Sequence, residues 1–83
     1  MDEKLLEFAV AAIHTHLQAH PASADTVEGV HQWWIRWPGL PESIDVTIAA
    51  LEQLEQSGFL ERLRAGNREI WRRPRTVEGD MDV

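Results

Sequence analysis

The last two-thirds of the chain fix an order of elements that few folds can accommodate. From Ser43 to Ser57 apolar residues recur at helical spacing, Ile44, Ile48, Leu51 and Leu54, and the pattern stops at Gly58. Glycine past a helix end takes the left-handed conformation that closes the last turn. Two strand-like runs follow at once, Phe59-Leu60-Glu61-Arg62-Leu63-Arg64 and Glu69-Ile70-Trp71-Arg72-Arg73, on either side of Gly66-Asn67. A Gly-Asn pair tolerates the positive φ of a tight hairpin tip. The pattern therefore predicts a helix capped by Ser43, a glycine stop, and an antiparallel hairpin pairing residues 59–63 with 69–73.

Two more helices are expected before it. Leu5, Leu6, Ala9, Ala12, Ile13 and Leu17 form one apolar stripe over Glu3 to Ala19. Asp2, Glu3 and Glu7 suit the positive end of that helix, and Pro21 stops it because the residue before proline disfavours helical angles. A second helix runs from Thr26 to about Trp34. Asp25 and Glu28 have capping-box spacing, with Thr26 as the competing cap. Val27, Val30 and Trp34 then share one face. Pro38-Gly39-Leu40-Pro41 forms a stiff loop. Ala22-Ser23-Ala24, between the first two helices, is a candidate short strand that pairs with the hairpin.

Eighty-three residues hold one domain, assigned to residues 1–75, with a tail at 76–83 that lacks periodicity and is expected to be disordered. There is no cysteine, which excludes disulfides and thiolate metal sites. The longest apolar run, Phe8 to Ile13, is too short for a membrane span, and the acidic start lacks the charge of a secretory signal, so a cytoplasmic location is expected.

The net charge of −6 is unevenly placed. Residues 1–61 carry ten acids against Lys4 and Arg36, whereas residues 62–75 carry six arginines against Glu69. The result is an acidic body with one basic hairpin. A net-acidic surface repels polyanions at long range, although a local basic patch can still hold one.

The run from Ser43 through the Leu51-x-x-Leu54 repeat to Ser57-Gly58-Phe59-Leu60-Glu61-Arg62 resembles the recognition helix and first wing strand of bacterial winged helix-turn-helix regulators. The resemblance implies a mainly α fold with a small β-hairpin, in the order helix, helix, helix, strand, strand. It also implies a third helix that enters the DNA major groove and a wing that touches the backbone or minor groove. This chain departs from that pattern twice. The outward face of the third helix presents Asp45, Ala49, Glu52, Gln53 and Gln56 and no Lys or Arg, although phosphates flank every base edge. The loop from Arg36 to Glu42 is longer and richer in proline than the usual turn between the second and third helices.

Beside that helix face, the candidate functional residues fall in three groups. Trp33 and Trp34 are adjacent on a helix and point about 100° apart, so they cannot share one face. With Trp34 in the core, Trp33 keeps a solvent-facing edge beside Trp37, with a notch at Gly29, and forms a protein-binding anchor. The competing placement folds Trp33 and Trp37 over the core to meet Trp71. Arg62, Arg64, Arg68, Arg72 and Arg73 can hold phosphates bidentately, or can pair with the domain's own carboxylates. His14, His16 and His20 lie on the first helix, and His16 and His20 have zinc-ligand spacing. A third and fourth ligand are lacking apart from the distant His31, which makes these surface histidines.

Neither a nucleophile–base set nor a glycine-rich phosphate loop is present, and no cofactor, metal or small-molecule substrate is expected. The sequence reads as a non-catalytic binding module. Its first expected role is a protein-interaction adaptor, or self-association, through Trp33, Trp37, Asp45, Ala49, Glu52, Gln53 and Gln56. The alternative is a DNA-binding transcription regulator that uses the arginine wing as a dimer.

Overall fold

The computed structural model describes residues 2–74, and the tail expected at 76–83 lies outside the described residues. Among them are three helices and a three-stranded antiparallel sheet. Helix α1 spans Glu3–Ala19. Asp2 caps it, its Oδ1 accepting from the Lys4 amide at 2.8 Å, and His20 ends it one residue before Pro21. Ala9, Ile13 and Leu17, four residues apart, are its buried ridge.

Strand β1 is Ala24–Asp25, slightly later than Ala22-Ser23-Ala24, and it pairs with the hairpin as expected. Asp25 does not cap the second helix. Its place in the strand turns the carboxylate back onto the Thr26 amide (2.8 Å), and Thr26 Oγ1 accepts from the Gly29 amide at 3.2 Å. Helix α2 opens as an α-turn, Val27–Gly29, and continues as a π-helical stretch, Val30–Trp34. Such wide turns leave carbonyls poorly partnered at the helix end. Here the Trp37 indole N–H donates to the His31 carbonyl at 2.9 Å.

Helix α3 spans Ile44–Gln56 with Ser43 as its cap. Gly58 sits at φ +85°, and the Phe59 and Leu60 amides both donate to the Leu54 carbonyl, at 2.9 and 3.2 Å, which closes the helix end. The buried set is broader than the expected stripe. Leu51 and Leu54 are buried, but Ile44 and Ile48 are only half-buried, and Val46, Thr47 and Ala50 lie in the core instead. The reason is that α3 packs against both α1 and α2, so its inward arc is turned toward residues too small or too polar to stand out in a hydropathy pattern. Thr47 is tolerated because its hydroxyl lies 2.6 Å from His31 Nδ1.

Strands β2, Glu61–Ala65, and β3, Arg68–Arg72, form the hairpin with Gly66 at its tip (φ +65°). The strands begin two residues later and one residue earlier than expected. Phe59 and Leu60 are still held by the end of α3, so pairing starts only at Glu61. The sheet order is β1-β3-β2, which makes β3 central. Its Trp71 is buried under the sheet, together with Leu60, against the helices.

Candidate functional site

Three surfaces hold the residues singled out from the sequence. On α3 the outward face exposes Asp45, Glu52, Gln53 and Gln56. Ala49 is half-buried, because the inward arc of the helix reaches it, and it is not part of an open face. Among the described residues no Lys or Arg of α3 stands on this face, which carries two carboxylates.

On the hairpin the arginines divide into two sets. Arg62 is tied inward. It reaches Glu55 of α3 at 2.8 Å and Glu69 at 3.4 Å, and its guanidinium lies over the Trp71 ring, 4.4 Å from the centroid. These bonds hold the Glu55 carboxyl below its ordinary range, chiefly through the hydrogen bond from Arg62, and raise the Arg62 guanidinium in turn. Arg72 pairs at 2.8 Å with Glu61, its register partner across the ladder. Arg73 covers the Phe59 ring at 4.0 Å. Arg64 and Arg68 form the second set. Both are exposed, and neither makes an ion pair among the described residues.

The third surface joins α1 to the end of α2. Trp34 is 7% exposed and Trp33 is 71% exposed, the split that adjacent positions on a helix impose. This excludes the placement in which Trp33 folds over the core. Trp37 is half-buried and contacts the Phe8 and His31 rings, and its indole N–H is used within the chain, so it is a buttress more than an anchor. The expected notch at Gly29 is absent. The Asp25 carboxylate occupies the place a Cβ would take.

Beside Trp33 lies a groove of about 660 Å³, lined by Phe8, Ala11, Ala12, Thr15, His16, Ala19, His20, Trp33, Trp34 and Arg36. His16 stacks on Trp34, ring centroids 4.6 Å apart, and its Nε2 lies 3.1 Å from Ser23 Oγ. Burial lowers the His16 pKa and the neighbouring His20 adds to this, against a smaller opposing pull from Asp25. His14 belongs elsewhere, stacked on Phe59 at 4.3 Å. Among the described residues no three metal-ligating side chains converge.

Sequence reasoning found Trp33 and missed the groove. The signal was present in Phe8, Ala12, Thr15 and Ala19, which share a face of α1 next to its core stripe. It was obscured because alanine fits a core and a surface equally well. No helix among the described residues is long and apolar enough to cross a membrane.

No family model matches the chain, and comparisons with curated proteins and with solved structures find no match.

Proposed function

We propose that the chain is a non-catalytic binding module of winged-helix type whose partner is a protein. The winged-helix reading is supported by the element order and by a sheet in which the strand between the first two helices joins the terminal hairpin. The choice of protein over DNA rests on one observation, the electrostatics of the surfaces that would meet a duplex. The outward face of α3 bears Asp45 and Glu52 with no compensating base, and the wing arginines Arg62 and Arg72 are neutralised by Glu55, Glu69 and Glu61. A phosphate-lined groove repels the first surface and finds two of the five described arginines of the second already paired. Exposed Trp33, beside a groove of mixed apolar and polar lining, supplies what a protein interface needs instead.

The DNA reading keeps one specific support, the pair Arg64 and Arg68 near the hairpin tip. Titration of a random duplex at low salt separates the two. The adaptor reading expects no saturable binding. Salt-sensitive duplex binding that Arg64→Ala/Arg68→Ala removes would replace it with the regulator reading.

A further inference from the structure

We infer that the groove between α1 and the end of α2 is filled by this chain's own residues 76–83, which run back along α1 from His20 toward Phe8 and cover Trp33. Position selects that occupant. Strand β3 runs away from the hairpin tip, Arg72 stands opposite Ala24 in the ladder, and Pro74 lines one cavity with Pro21, Ala22 and Ser23. The described chain therefore leaves the sheet beside the end of α1, where Ala19 and His20 form one end of the groove. Arg64 and Arg68 lie behind that exit, at the other end of the hairpin. The groove runs roughly 17 Å along α1 from Phe8 to Ala19, and residues 76–83 in extended form span about 26 Å, so the tail covers it with room for the turn after Pro74. A segment tethered this closely meets the groove at an effective concentration on the order of millimolar, which gives it the advantage over a free partner of the same chemistry.

The chemistry of the segment agrees with its position. It lacks a helical period, but on either side of Gly79 the apolar Val77, Met81 and Val83 alternate with Glu78, Asp80 and Asp82. An extended backbone sends these two sets to opposite sides. One side meets Trp33, Phe8 and the alanine floor, and the other stays in water or reaches Arg36, the fixed charge of the groove. Among the described residues no carboxylate lines the groove to oppose these acids. Arg75 comes to the last turn of α1, whose carbonyls form the negative end of the helix dipole. The outward face of α3, with Asp45 and Glu52, repels the same segment. A protein partner that uses Trp33 must then displace the tail, and that consequence alone rests on the protein-binding reading above.

The chain has no cysteine, so Val83→Cys gives the full chain a single site for a nitroxide label. Paramagnetic broadening of the N–H signals, measured against the reduced label, then reports where the tail lies. The amides of Ala11 and Ala12 and the Trp33 indole N–H are expected to lose intensity. Val77→Ser/Met81→Ser, which removes the apolar side of the tail and leaves residues 2–74 unaltered, is expected to restore them. Trp33→Ala is expected to restore the α1 amides as well. Broadening strongest at residues 64–68 would put the tail on the hairpin arginines and overturn the inference. A lack of broadening along α1 overturns it too, as does broadening there that the double tail variant leaves unchanged. The measurement needs no partner, so its failure removes this inference alone, whereas saturable duplex binding removes the protein-binding reading and leaves the tail contact standing.

Discussion

The hairpin face and the α1–α2 face both carry aromatic rings, and they treat them in opposite ways. Across β2 and β3, cations close over the rings, Arg62 on Trp71 and Arg73 on Phe59, and carboxylates from α3 and the strands complete the layer. Both rings there have a cationic lid from the same chain. On the α1–α2 face, Trp34 is covered by His16, but among the described residues no cation is stacked over Trp33, which is 71% exposed. A chain with five other arginines in its described hairpin segment and one at this face closes one surface on itself and leaves the other open. The hairpin is rich in charge, yet part of that charge is spent within the chain, so a count of arginines overstates the free charge it offers.

The contrast breaks first at Trp34, which separates the open face from the core. Trp34→Ala removes a buried indole that packs against Val30, Ile35 and the α1 ridge in one cluster, and it also uncovers His16. The expected loss is about 3–5 kcal/mol, a large share of the stability of a domain this size. Urea denaturation measures it. A loss below about 1 kcal/mol would mean that the ring does not anchor α2 to α1.

Next comes the lid itself. Arg62→Ala removes two ion pairs and the cation over Trp71. The pairs are about a third exposed and solvent-screened, so they contribute at most about 1 kcal/mol, with a comparable amount from the ring contact. The expected total is on the order of 1–2 kcal/mol, reduced by high salt. Trp71 Nε1 is buried without a hydrogen-bond partner among the described residues. The packing of its ring must offset that cost.

Much of this division was readable in the sequence, for uneven reasons. The bounds of α1, the Ser43 cap, the Gly58 stop and the Gly66 tip follow from local chemistry, which tertiary contacts rarely override. The split between Trp33 and Trp34 followed from helical geometry and the Val27, Val30 stripe. Other features depended on partners distant in sequence. Val46, Thr47 and Ala50 are buried because two helices meet α3, and Thr47 is satisfied only by His31, sixteen residues away. The role of Asp25 changed because β1 claimed it, and the capping duty passed to Thr26. The pairing of Arg62 with Glu55 was legible as a possibility in charge counts, and the structure supplies the geometry.

A pH titration of stability sharpens the comparison further, because the two faces respond in different windows. His16 has its pKa lowered in the folded state from an ordinary 6.5, so the folded chain resists protonation. Its contribution is complete above 6.5 and is lost as pH falls from there through the lowered value. Glu55 is lowered from 4.5, so the hairpin contribution holds above 4.5 and is lost as pH falls below it. Stability is therefore expected to decline in two stages. His16→Gln should flatten the upper stage and Glu55→Gln the lower. A single transition unaffected by His16→Gln would show that burial against Trp34 does not govern that ring.

The smallest expected effect is the most telling. Trp33→Ala should change folding stability by no more than about 0.5 kcal/mol, because a side chain that is 71% exposed leaves little buried area to lose. Its neighbour, one peptide bond away, is expected to cost several times more. Equal losses at the two positions would mean that Trp33 supports the fold, and the open face would then lack its projection. A thermal melt of each variant, read beside the broadening from its labelled tail, distinguishes the outcomes. Trp34→Ala should fail in the melt, whereas Trp33→Ala should melt like the wild type and differ only in the tail contact. If Trp33→Ala instead melts higher and holds the tail as before, the exposed indole is a liability that the fold merely tolerates, and partner recognition must be sought on the acidic face of α3 at Asp45 and Glu52.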